Sequence, residues 1–162
     1  KNGKTNLDNI YAVGDVIGPP WLAHVSSSEG LYVVEHIAKL SPKKIDYDCV
    51  PACTYSKPEI GSIGLSQKIL DERCIDYKVV KSFFNANGKA VASDSTEGFI
   101  KILVSDKNKI LGAHIIGSNA TEMISEFSLA MSNTLSVENI LDSIHPHPTF
   151  SEAIFETLMQ LR

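Results

Sequence analysis

The 162 residues carry 43% hydrophobic and 21% charged side chains, with a formal net charge of −4 and a pI near 5.7. That balance belongs to an ordinary globular chain, either one domain plus an appendage or one mid-sized domain. No basic run or aromatic–basic interleaving is present, which argues against nucleic acid as a partner. Apolar runs such as Ile110–Gly117 are too short to span a bilayer, so no membrane segment is expected.

Taken in chain order, Asn9–Val13 combines β-branched and aromatic residues and reads as a short buried strand ended by Gly14-Asp15. Gly18-Pro19-Pro20 breaks the chain. A helix is then expected from about Leu22 to Leu40, with Leu31, Val34, Ile37 and Ala38 at helical spacing. One strand and one helix cannot close a core, so this opening segment must dock on something larger.

After the connector Ser41-Pro42-Lys43-Lys44 the pattern changes to short strands: Ala52–Ser56, Glu59–Gly64, Tyr77–Phe84, Gly98–Val104 and Lys109–Gly117. Ser66 is placed to cap a short helix to about Arg73, and Asp106–Lys109 to turn one strand into the next. A helix follows from Asn119 or Thr121 to about Asn133, with Met123, Ile124, Phe127, Ala130 and Met131 as its core stripe. Ser136 caps another, and a last helix follows Thr149-x-x-Glu152, a capping-box pattern. The expected class is α+β: an antiparallel sheet backed by helices over residues 49–162, preceded by a separate segment, 1–48.

The residues that can carry chemistry lie in His145-Pro146-His147-Pro148-Thr149-Phe150-Ser151-Glu152. A residue before proline is pushed out of the α region, so both imidazoles project from a stiff, extended backbone. A fixed imidazole suits a general base, and Glu152 is near enough in sequence to bond one ring nitrogen and leave the other free. Three readings stay open from local chemistry: a His–Glu dyad, a capping acid beside a surface turn, and part of a metal site. Capping and dyad compete, because a carboxylate turned to the backbone is less available to an imidazole.

No nucleophile accompanies the pair. Cys49, Cys53 and Cys74 form neither a disulfide framework nor a zinc pattern, and Cys49 and Cys53 lack dithiol spacing. They read as plain thiols of a reducing compartment, whether cytoplasm, mitochondrion or plastid-type organelle. Asp15, at the end of the first strand, either offers an acceptor to ribose or ribityl hydroxyls or simply turns the chain.

Together these pieces resemble the flavin-dependent pyridine nucleotide–disulfide oxidoreductases. The resemblance rests on Thr5…Ile10-Tyr11-Ala12-Val13-Gly14-Asp15, Leu22-Ala23-His24, Tyr55–Ile60, Gly88-Lys89-Ala90, Gly98–Lys101, Ile110–Gly117 and the His-x-His-Pro-Thr-x-Ser-Glu stretch. It covers essentially the whole chain, and His145 with Ala153 looks more like the lipoamide branch than the glutathione-reductase-like one, a glutathione- or metal-reducing flavoenzyme being the alternative.

The resemblance implies that 1–48 closes an FAD domain, with its last strand and helix, and that 49–162 is the dimerisation domain. It implies that Gly14, Asp15, Leu22, Ala23 and His24 approach FAD, that His147 is the base and that Glu152 orients it, with a cis peptide before Pro148. It also implies a homodimer, NAD as electron acceptor, dihydrolipoamide as substrate and the acyltransferase (E2) component of a 2-oxo acid dehydrogenase complex as partner. A non-catalytic dimerisation and docking role is the contrasting expectation. The sequence departs from the family in lacking the Cys-x4-Cys pair and the Gly-x-Gly-x-x-Gly loops, and in carrying Pro146 where alanine is usual. FAD and NAD would therefore be held mainly by residues outside these 162.

Overall fold

A helix and its extended arm form the first of two units in this computed structural model, which describes residues 3–162; the units divide after Tyr47. The expected segment 1–48 therefore begins with two residues, Lys1 and Asn2, that lie outside the described ones.

In the first unit, Asn9–Val13 is not the strand expected. It makes one isolated bridge, Lys4 with Tyr11, supported by Ala12 N–H to the Gly3 carbonyl at 2.7 Å and Thr5 N–H to the Ile10 carbonyl at 3.1 Å. Among the described residues of this unit, only that short return arm runs beside the segment, and Asn9 at φ 64° bends its start. Extended residues without a longer ladder do not make a strand.

A 3₁₀ turn, Gly14–Ile17, leads to α1, Ala23–Ile37. The helix stops short of Leu40 for a local reason. Lys39 takes the left-handed conformation (φ 62°), its N–H bonds the His36 carbonyl, and Leu40 N–H reaches back to Glu35. This is a Schellman stop, and it terminates the helix in place of a run to Leu40. The buried stripe is Val25, Glu29 and Val33, whereas the expected apolar positions Leu31, Val34, Ile37 and Ala38 are exposed.

The second unit is a five-stranded antiparallel sheet in the order β1-β2-β5-β4-β3. The strands are β1 Ala52–Thr54, β2 Glu59–Gly64, β3 Lys78–Phe83, β4 Gly98–Val104 and β5 Ile110–Gly117, close to the expected ones. Alternation sets their faces: Ile100, Ile102 and Val104 of β4 are buried, and Ile100 and Ile102 pair with Ile115 and Ala113 of β5. The helices are α2 Gln67–Glu72, α3 Gly88–Ala92, α4 Ala120–Ser132, α5 Val137–Leu141 and α6 Glu152–Leu158.

Met123, Ile124, Phe127 and Ala130 of α4 and Ala153, Ile154 and Leu158 of α6 join those strand residues in one core. The α4 stripe is the expected one apart from Met131, which is only partly buried. β2 lets α4 approach through Gly61, where a Cβ would sit 2.5 Å from the Ala120 carbonyl oxygen. Ser66 caps α2 by accepting from Ile69 N–H, and Ser136 with Asn139 forms a reciprocal capping box on α5. α3, unanticipated because it is five residues long and starts with glycine, is capped by the buried Asn87.

Candidate active site

The loop between α5 and α6 carries the His-Pro-His-Pro stretch, and its two imidazoles are used in opposite ways. His147 is 76% exposed. Its Nδ1 lies 2.8 Å from Glu152 Oε1, and its Nε2 has no hydrogen-bond partner among the described residues. The His147–Pro148 peptide is cis. His145 is 8% exposed, with Nε2 2.9 Å from Glu126 Oε1 on α4 and Nδ1 3.2 Å from the Ser143 carbonyl oxygen.

The expected capping box forms only in half. Glu152 Oε2 accepts from Thr149 N–H at 2.8 Å, but the Thr149 hydroxyl donates to the Pro146 carbonyl instead of capping the helix. Ser151 occupies the cap position in helical conformation and makes no side-chain cap bond. Competition between capping and orienting does not occur either, because each role takes a separate carboxylate oxygen.

Two donors on one carboxylate favour its charged form. Thr149 N–H, the larger cause, and the His147 ring together hold the Glu152 carboxyl below the usual carboxylate range. A carboxylate on Nδ1 selects the tautomer with hydrogen on Nδ1, so Nε2 keeps its lone pair for an incoming proton.

Three residues that sequence reasoning missed support the loop. Glu126 and Ser143 receive His145, and Asn87 donates from Nδ2 to the Thr149 carbonyl at 3.1 Å while its Oδ1 accepts Ala90 N–H. Phe84 packs edge-on against Phe150, ring centres 5.9 Å apart, and ties the next residue to the core. Asn87 carried a legible signal as an N-cap residue. Glu126 carried none, since its partner lies nineteen positions away.

Other candidate groups are not organised for catalysis. The Cys53 thiol is pushed up first by burial and then by Glu59 and Glu122, which keeps it a thiol, and no disulfide is formed. Burial pushes His114 down, partly offset by the Leu65 carbonyl that its Nε2 faces at 3.2 Å. Among the described residues, no group of three or more His, Cys, Asp or Glu is placed to hold a metal, and no helix is long and apolar enough to cross a membrane.

In the first unit, Gly14 N–H donates to Glu29 Oε2 at 2.7 Å, and Tyr47 donates to Glu29 Oε1 at 2.7 Å. Gly14 sits at φ 77°, where an added Cβ would lie 2.9 Å from Ser26 Oγ. The exposed Asp15 carboxylate follows directly, and Leu22, Ala23 and His24 form the start of α1. The Asp15 carboxylate is an acceptor that suits the hydroxyls of a polyhydroxylated cofactor.

An antiparallel sheet with helices over its core face is the architecture of a disulfide-oxidoreductase dimerisation domain. The family described as "Pyridine nucleotide-disulphide oxidoreductase, dimerisation domain" matches residues 50–158, and the chain belongs to this family.

The mitochondrial dihydrolipoyl dehydrogenase of Caenorhabditis elegans is 44% identical over 154 residues, covering 94% of this chain and 31% of that protein. The dihydrolipoyl dehydrogenase of Bacillus subtilis is 44% identical over 157 residues, covering 96% of this chain and 33% of its own length. Among solved structures, LpdA from Mycobacterium tuberculosis superposes with a TM-score of 0.94 at 25% identity, over 99% of this chain and 35% of that one. The chain thus spans about a third of the length of the curated relatives it matches.

Proposed function

We propose that these residues are the carboxy-terminal part of a flavoenzyme that oxidises protein-bound dihydrolipoamide to lipoamide with NAD⁺ as acceptor. The observation that carries the reading is the His147 Nδ1–Glu152 Oε1 bond of 2.8 Å, which leaves Nε2 exposed and unpartnered. In this reading Nε2 takes the proton of a dihydrolipoamide thiol, and Glu152 holds the ring and stabilises the imidazolium that results.

Residues 49–162 serve as the interface domain of a homodimer, and residues 1–48 as the closing segment of an FAD domain. Asp15 would accept from ribityl hydroxyls, Gly14 would shape the turn, and the Leu22-Ala23-His24 start of α1 would face the ring system. When bound, FAD carries the electrons of the dithiol on to NAD⁺. The acyltransferase component of a 2-oxo acid dehydrogenase complex is the partner this substrate implies. The lipoamide reading is preferred to a glutathione- or metal-reducing one because the curated dehydrogenases stand at 44% identity.

The test is the flavoenzyme of which this sequence forms part, compared with its His147→Gln variant. Loss of about 10²–10⁴-fold in dihydrolipoamide turnover is expected for removal of a general base. Near-normal turnover in the variant would remove His147 from the role, and a parent enzyme inert toward dihydrolipoamide would remove the substrate assignment.

A further inference from the structure

His145, the other histidine of the loop, has no part in that chemistry, yet it is the better anchored of the two. Its ring is almost covered, whereas the His147 ring is open. It lies 6.0 Å from the Phe155 ring of α6 and bonds Glu126 of α4, so it joins the loop to two core helices.

Both of its nitrogens face acceptors, the Ser143 carbonyl at Nδ1 and the Glu126 carboxylate at Nε2. Each ring nitrogen is thus turned to a protein group, and the nearly covered ring leaves neither open to a substrate. What it does is fix the backbone: Pro146, next to it, receives the Thr149 hydroxyl through its carbonyl, and His147 lies between these two ties.

We propose that His145 and Glu126 are a positioning pair, which holds segment 145–149 from α4 so that the His147 ring meets Glu152 in one orientation. The inference rests on the functional reading above only for its kinetic consequence. The geometric claim stands on the loop itself.

His145→Phe tests it by keeping a ring against Phe155 while deleting both ring nitrogens. In the flavoenzyme of which this sequence forms part, kcat for dihydrolipoamide oxidation should fall about 10- to 100-fold, the scale of a small misplacement of a catalytic group. KM for NAD⁺ should not change. His145→Gln retains a donor for Glu126 and should recover most of that loss, which a merely space-filling role would not allow.

In ¹⁵N-histidine spectra of the protein, His147 should move from a single Nδ1–H tautomer toward the averaged shifts of a free ring. Glu126→Ala breaks the same bond from a half-buried position on α4 and carries the test if His145→Phe does not fold. A kcat within about twofold of the parent and an unmoved His147 ring, in whichever variant folds, would overturn the proposal. If the parent enzyme does not oxidise dihydrolipoamide, the functional reading fails, and the ring spectra still decide the positioning claim.

Discussion

His147 and Glu152 are joined by a 2.8 Å bond from Nδ1 to Oε1, made by an acid whose other oxygen already holds Thr149 N–H at 2.8 Å. One carboxylate thus starts a helix and aims a base. Glu152→Gln separates the two roles, because the amide has one acceptor where the carboxylate has two. If its oxygen stays on Thr149, its NH₂ faces Nδ1 and selects the tautomer with hydrogen on Nε2, the wrong one for accepting a proton. If the oxygen turns to His147, two donors meet at Thr149. We expect dihydrolipoamide turnover to fall about 10²-fold or more. ¹⁵N-histidine spectra should show either the inverted tautomer or faster exchange at the Thr149 amide, and a variant with neither change would contradict the shared-carboxylate geometry.

The same two donors give a pH signature. Thr149 N–H first, and His147 second, hold Glu152 below the ordinary carboxylate range. Four residues on, Glu156 is pushed the other way, chiefly by burial and then by the Glu152 charge. A depressed folded value means that the Glu152 contribution is present above the unfolded value, about 4.3, and is lost as pH falls through the folded one. A raised folded value means that Glu156 costs stability as pH rises from the unfolded value through its own. Carboxyl ¹³C titration should therefore place the Glu152 midpoint below that of Glu156. In Glu152→Gln the Glu156 midpoint should drop only part of the way back, since burial remains. Coincident midpoints would show that the loop does not hold Glu152.

The sheet was legible because its strands alternate and its turns are chemically marked. Ile100, Ile102 and Val104 declare the buried face of β4, and Asn108, at φ 55°, sits in the turn that its sequence signals. Asn9–Val13 misled because strand composition reports what a segment would do beside a longer neighbour, and here one short arm supplies a single bridge. The extent of α1 was missed for a different reason: a Schellman stop usually announces itself through glycine, and here Lys39 fills the left-handed position. At the site, His147 and Glu152 were visible because they are five positions apart on one loop. Glu126 and Asn87 reach the loop from other elements, and no local pattern records a contact that only the tertiary fold creates.

Tyr47 and Glu29 provide a check on the first unit. The Tyr47 hydroxyl is pushed above the usual tyrosine value first by its hydrogen bond to Glu29, then by burial and the Glu29 charge. Its stabilising share is present below the unfolded value, about 10, and is lost as pH rises through the folded one. Glu29→Gln should bring the Tyr47 midpoint down toward the ordinary tyrosine value, as read by ¹³C-tyrosine titration with Tyr47→Phe for assignment. Tyr47→Phe leaves one oxygen of the buried Glu29 without its donor and should cost about 1–2 kcal/mol in urea unfolding of the protein. An unchanged Tyr47 midpoint in Glu29→Gln would mean that the 2.7 Å bond is not made in solution.

Asn87 tests how far the core reaches into the site. The residue is 1% exposed, and its side chain splits its two functions, Oδ1 capping α3 at Ala90 N–H and Nδ2 holding the Thr149 carbonyl. Asn87→Ala removes both and should cost about 2 kcal/mol, combining a lost cap with an unmet, half-buried carbonyl. Asn87→Ser restores a capping oxygen but is too short to reach Thr149, so it should recover roughly 1 kcal/mol of that stability, the worth of a typical cap. The loop behaviour should not recover with it. Thr149 N–H, which donates to Glu152, should exchange faster with solvent in both variants, and the His147 ring should lose its single tautomer in both. If Asn87→Ser restores the exchange rate together with the stability, then Asn87 acts on the site only through α3, and the bond to the Thr149 carbonyl does not position the base.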